Sequence, residues 1–298
     1  MRYSAQYDLS NRLRAKAEIW RILFGTCMII VLYVLFLVAG FAIIVAMTSD
    51  GAMSSLQTEL WQLMSPRMVL GSLYSFVFLA VAVVLVAWFV HKASFASLIG
   101  DWRKAMRDFW RVVRALIVFY FFMAGLGALV DVGGSSPEQN LKLSTWIMLL
   151  PLSLTAIFVQ TGAEELAFRG YLQGHLAARF RSPLMWMVLP AAIFAIGHYA
   201  PGENGANTWT IVLWAGIFGL ATADLTARTG TIGAALGFHF MNNASALLFV
   251  SLSGPLSGLS LFRYPFDSSD IEKVAPFLIL DLGVLCVSWL VCRVACRV

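Results

Sequence analysis

The sequence predicts an all-α protein, a polytopic membrane helix bundle of about eight transmembrane helices. Three observations carry this. Hydrophobic residues make up 60% of the chain and charged residues 12%, where soluble domains carry about 25% charged residues. No charged residue occurs from Ile22 to Met47 or from Met68 to Val90, and a bilayer core of ~30 Å takes about 20 apolar residues in a helix. Lys and Arg collect between alternate apolar runs, where a membrane protein carries its orientation signals.

The expected spans are 22–47, 68–90, 112–130, 144–168, 184–200, 209–223, 231–253 and 274–292. The first is too long for the h-region of a signal peptide and leads to no small-residue cleavage site, so it reads as a retained helix. With the N-terminus inside, 17 of the 21 Lys and Arg fall on inner segments, leaving Arg67, Lys142, Arg263 and Lys273 outside. Both termini are then expected in the cytoplasm, and the host membrane is expected to be a bacterial cytoplasmic (inner) membrane. Charge distributed in this way gives the net +5 no nucleic-acid partner. Cys27, Cys286, Cys292 and Cys296 lie in or beside apolar runs without a CxxC pair, and read as small packing residues.

From Ser94 to Arg114 the residues Phe95, Leu98, Trp102, Met106, Phe109 and Trp110 recur at helical spacing among cations. This segment is either an amphipathic helix on the inner leaflet or an inward extension of the third span. Ser269-Asp270-Ile271-Glu272 fits a capping box at the start of the last helix.

Chemistry concentrates in three places. In Thr161-Gly162-Ala163-Glu164-Glu165-Leu166-Ala167-Phe168-Arg169 an apolar run acquires two carboxylates and a cation, each costing ~2.5–3.5 kcal/mol near the membrane centre. Glu165 and Arg169 stand four apart and can pair on one face, while Glu164 is turned about 100° away to face something else. A buried ion pair with a spare carboxylate is the plain structural alternative. The second place is Phe194-Ala195-Ile196-Gly197-His198. A hairpin turning at Arg181-Ser182-Pro183 sets His198 beside Glu164 at equal depth. Hydropathy instead puts Glu164 at the inner surface, since it ends an uncharged run from Leu143. The hairpin requires the fourth helix to continue past Arg169, with its polar groups buried in the bundle or with the hairpin projecting into the cytoplasm. The third place is Gly237-Phe238-His239-Phe240-Met241-Asn242-Asn243, where His239 and Asn243 share a face.

In this order, EExxxR, FxxxH and HxxxN resemble the CPBP (CAAX protease and bacteriocin-processing, or Abi) family, which includes prenyl-protein CAAX endopeptidases. The Arg-Gly-Tyr-Leu-Gln continuation fits as well. The resemblance covers about residues 143 to 250. It implies an intramembrane endopeptidase in which Glu164 and His198 activate water, His239 and Asn243 stabilise the oxyanion, and Glu165 and Arg169 support the site. Peptide hydrolysis needs such a base, oxyanion donor and leaving-group acid in any case. Zn²⁺ held by Glu164, His198 and His239 and a metal-free mechanism both remain open.

The chain is thus expected to divide into accessory helices with a basic amphipathic segment (1–142), a catalytic core (143–250) and a last transmembrane helix (251–298). The expected partners are the lipid bilayer and a membrane-associated peptide or protein substrate, cut near the cytoplasmic side. A catalytically silent scaffold or immunity protein of the same family is the alternative. A transporter coupling through Glu164, Glu165 and Arg169 would be expected to show paired repeats, and the sequence has none.

Overall fold

The structure, a computed structural model, describes residues 3–47, 65–127 and 136–298. Arg2, used in the charge count, and residues 128–130, used in the third expected span, lie outside these. Each expected apolar run contains a helix. In chain order the helices are α1 (Ser4–Asn11), α2 (Ile19–Met47), α3 (Pro66–His91), α4 (Phe95–Ile99) and α5 (Trp102–Gly127), followed by α6 (Leu143–Arg179). Then come α7 (Leu184–Ile196), α8 (Thr208–Thr229), α9 (Gly233–Leu248) and α10 (Ile271–Cys296). Among the described residues six helices, not eight, are long and apolar enough to cross a membrane. The chain is an integral membrane protein, and α7 and α9, the helices of expected spans that fall short of that length, both carry motif residues.

The two short helices end for local reasons. α7 stops at Ile196, and Gly197 and His198 form a turn, so His198 is not on the helix where the fifth expected span put it. α9 stops at Leu248, where Val250-Ser251-Leu252-Ser253 alternates apolar and polar residues with a strand's period of two and Gly254-Pro255 follows. This segment is a strand, β2 (Val250–Ser253), which corrects the seventh expected span. With β1 (Glu138–Gln139) and β3 (Phe262–Asp267) it makes a small sheet in the order β1-β3-β2. β1 pairs antiparallel and β2 parallel with β3. At the start of α10 the cap is one residue later than the expected box. Asp270 accepts from the Lys273 amide at 3.2 Å, while the Ser269 hydroxyl donates to Asp267 at 2.6 Å.

The basic amphipathic stretch resolves in favour of the extension. α5 is unbroken from Trp102 through Arg114 to Gly127, with Ala105, Phe109, Val112 and Leu116 buried and Arg103, Arg107 and Arg114 exposed. Only Phe95–Ile99 makes a separate helix.

Lipid is as apolar as a leucine side chain, so close backbone approach carries much of the helix association. A side chain at Gly233 would collide with the Ala105 carbonyl, and a Cβ at Gly237 would lie 2.9 Å from the Phe109 carbonyl. These two glycines seat α9 on α5. A Cβ at Gly219 of α8 would lie 3.1 Å from Ala191 of α7, so that pair is equally tight.

The cation-rich segments gather at one end. Tyr3 donates to Asp224 at 2.9 Å, and Asp224 also accepts from Arg228 and Trp289. Gln173 donates to Gln6 at 2.9 Å, and the Tyr7 hydroxyl reaches the Arg181 carbonyl. His91 bonds the Lys16 carbonyl through Nδ1, leaving Nε2 to accept from Tyr171 at 2.8 Å. One cation leaves the loop count: Arg169 is buried inside the bundle.

Candidate active site

α6 runs unbroken for 37 residues and continues past Arg169, as the hairpin required. Its Leu166–Gln173 stretch is π-helical, a widened turn frequently found at functional sites. After an extended Phe180 the chain reverses through Arg181-Ser182-Pro183 into α7. The register is the expected one. Phe168 and Phe194, four residues toward the turn from Glu164 and His198 respectively, meet edge to face with centroids 5.2 Å apart. Glu164 and His198 therefore share a depth.

The core of the site is a chain of charged and polar contacts. Arg169 donates from Nη1 to Glu165 Oε1 at 3.1 Å, and from Nη2 to the Gly219 carbonyl at 3.3 Å and to Thr222 Oγ1. Its guanidinium also lies over the Phe194 ring, 5.0 Å from the centroid. Both members of the pair are out of contact with the surroundings, with side-chain exposures of 0% for Glu165 and 2% for Arg169. The same Glu165 Oε1 lies 2.8 Å from His239 Nδ1. A carboxylate there fixes the proton on Nδ1 and leaves Nε2 as the exchanging nitrogen. Nε2 faces Glu164 Oε2 at 3.5 Å, and Glu164 keeps 15% of its side chain exposed. Of the two adjacent carboxylates, one is locked in the bundle and the other is reachable.

Asn243, one turn beyond His239, donates to Gln160 Oε1 at 2.9 Å, so both α9 residues face α6 as their spacing implied. His198 joins the group through Phe194. Its Nδ1 donates to the Phe194 carbonyl at 2.9 Å and its ring lies against Phe194, centroids 4.7 Å apart and planes inclined at 49°, while Phe194 meets the His239 ring edge-on at 6.1 Å. The structure thus brings together Glu164, Glu165, Arg169, His239 and Asn243, with His198 exposed at the rim.

The suggested metal set does not fit this arrangement. Among the described residues no three His, Cys, Asp or Glu side chains are grouped to hold an ion. His239 commits Nδ1 to Glu165, and His198 is turned onto its own helix's carbonyl.

Three participants escaped the sequence reading. Gln160 had a signal, being a polar residue four positions before Glu164 on the same helix face. Thr222 and the Gly219 carbonyl had none, because their contact with Arg169 spans about fifty residues of chain and depends on how α6 and α8 pack.

Comparison with known proteins gives the same region. Residues 144–245 match the family described as "Type II CAAX prenyl endopeptidase Rce1-like". A curated relative, "Uncharacterized protein YyaK" of Bacillus subtilis (strain 168), is 31% identical over 158 residues, covering 50% of this chain. The matched part spans about half of that relative, 51% of its length. No solved structure matches. The segment from 144 to 245 holds every motif residue described above, and it is this segment that is similar to the Rce1-like type II CAAX prenyl endopeptidase family, consistent with the CPBP resemblance.

Proposed function

We propose that the chain is an intramembrane endopeptidase that hydrolyses a peptide bond of a membrane-associated peptide or protein. The observation that carries this is the pairing of an accessible Glu164 with His239 Nε2, backed by a fully buried Glu165 on Nδ1. Two carboxylates, one guanidinium and a neutral imidazole leave one excess negative charge. One proton held on His239 Nε2 brings the four groups to zero, leaving Glu164 a carboxylate able to take a proton from water.

In the proposed reaction a water bonds to the scissile carbonyl carbon and gives a proton to the Glu164 carboxylate. His198 orients that water through Nε2, the ring nitrogen left free by its Nδ1 bond to the Phe194 carbonyl. The tetrahedral oxyanion accepts from the Asn243 amide, whose second N–H is free of Gln160, and from protonated His239. Collapse breaks the C–N bond as Glu164 returns its proton to the leaving amine. Glu165 and Arg169 act by holding His239 and the α6 turn in place.

The orientation we favour has both termini in the cytoplasm of a bacterial cell, with the basic end of the bundle facing inward. The gathering of α1, the α6–α7 turn and the ends of α8 and α10 at one end supports a common side for those cations. The test is cleavage of a fluorogenic single-span peptide library by the purified protein in nanodiscs, read beside Glu164→Gln and with a chelator. Turnover that survives Glu164→Gln would overturn the assignment, and inhibition by the chelator would overturn the metal-free chemistry.

A further inference from the structure

A partly open cavity of about 600 Å³ lies between α8, α9 and α10 beneath the sheet, at the end away from the basic segments. It is not walled off from the candidate site. Asn242 lines it and donates to Asn243 Oδ1 at 3.2 Å. Trp214 also lines it and lies flat on Phe218 (5.4 Å, 7°), whose ring meets His239 edge-on at 5.0 Å.

Asp281 of α10 opens on this cavity. It sits about 15 Å along the helix from Ile271, at 1.5 Å per residue, well inside an apolar span. An ionisable side chain at such depth normally faces an internal cavity and finds a partner there. Here the lining contains two carboxylates, Asp281 and Glu203, and no Lys or Arg, and the partner of Asp281 is the neutral Trp214 indole. The nearest cation on the same helix, Lys273, is directed over the Phe266 ring at 5.5 Å and does not line the cavity. Trp214, Tyr264 and Phe277 supply aromatic surface, the last two with centroids 5.1 Å apart. Carboxylates set among aromatic faces attract cations twice over, by charge and by the ring quadrupoles. The cavity also carries a strand. Val250–Ser253 lines it, and among the described residues β2 is an edge strand, paired only with β3, the position at which an extended peptide can add to a sheet.

We propose that this cavity is the substrate vestibule, and that it selects an extended peptide segment bearing a basic side chain, which is held by Asp281 while the backbone lies along β2. The proposal rests on the endopeptidase reading and deepens it by naming what the enzyme recognises. It also places entry at the sheet-capped end of the bundle rather than near the cytoplasmic side expected from the sequence.

The experiment measures binding, not cleavage. The full chain carrying Glu164→Gln, in nanodiscs, is titrated with a fluorescent single-span peptide having one lysine toward its outer end, and with the same peptide carrying norleucine instead. The expected result is at least tenfold tighter binding of the lysine peptide. Asp281→Asn added to this protein removes the difference without weakening the norleucine peptide, and Asp281→Glu retains it. Equal affinity for the two peptides, or a lysine preference that survives Asp281→Asn, overturns the proposal. Cleavage is scored separately on the unsubstituted chain. A lysine preference without any cleavage would sink the endopeptidase reading alone, and cleavage without the preference would sink the vestibule alone.

Discussion

His239 Nδ1 and Glu165 Oε1 lie 2.8 Å apart on helices 74 residues distant in sequence, and the same oxygen receives Arg169 at 3.1 Å. One buried carboxylate oxygen therefore joins the two halves of the site. Glu165→Gln leaves Arg169 with no anionic partner in a site where it has no access to water. Breaking a buried pair from one side costs roughly 3–5 kcal/mol. Melting temperature in detergent is expected to fall markedly, with activity lost as a consequence. A stable, well-expressed Glu165→Gln protein would contradict the structural role.

Glu164→Gln is expected to behave in the opposite way. Among the described residues its carboxylate has no hydrogen-bond partner on its own helix, and it faces His239 Nε2 at 3.5 Å. The fold should survive with an unchanged or slightly higher melting temperature. Turnover should drop by about 10²–10⁴-fold, the usual contribution of a positioned general base. If Glu164→Gln melts early and Glu165→Gln is stable but inactive, the roles are reversed.

Arg169→Lys tests geometry at constant charge. The guanidinium reaches Glu165, the Gly219 carbonyl and Thr222 together, and a lysine ammonium cannot copy that fork. Differential scanning fluorimetry should show a clear loss of stability for Arg169→Lys, comparable to that for Glu165→Gln. The double variant should lose less than the sum, because both changes break one network. Additive losses would mean that the two residues act separately.

How much of this was legible beforehand follows from which interactions are local. Glu165–Arg169 is an i,i+4 pair on one helix and could be read from spacing. The shared depth of Glu164 and His198 came from symmetry about the Arg181-Ser182-Pro183 turn, and the Phe168–Phe194 contact bears it out. The partners of His239 could not be read in the same way. They depend on how far α9 sinks onto α5, which Gly233 and Gly237 control through contacts with Ala105 and Phe109. The short sheet was missed because Val250-Ser251-Leu252-Ser253 continues an apolar helix without a charge, and only Gly254-Pro255 marks the break. Asp281 was passed over as one acid in a long apolar span. Its significance appears only when α8 and α9 close a cavity around it.

The last prediction concerns sidedness, and it uses the ends of the bundle rather than its centre. Arg181 lies in the α6–α7 turn beside Tyr7, and Arg103 lies on the exposed face at the start of α5. Lys142 immediately precedes α6, and Arg263 is in β3 at the opposite end. In a background with Cys27, Cys286, Cys292 and Cys296 replaced, single cysteines at Arg103 and Arg181 should react with a membrane-impermeant maleimide only after the cells are opened. Cysteines at Lys142 and Arg263 should react in intact cells. The physical basis is that cationic loops near short spans are retained on the cytoplasmic side. The structure adds a constraint that the charge count alone lacks, because α1 is tied to the α6–α7 turn through Gln6–Gln173 and Tyr7–Arg181. Positions at Arg181 and near α1 must therefore label alike whichever way the protein faces. If they label from opposite sides, the packing of α1 onto that turn is wrong; if all four positions invert together, the packing stands and the orientation is reversed.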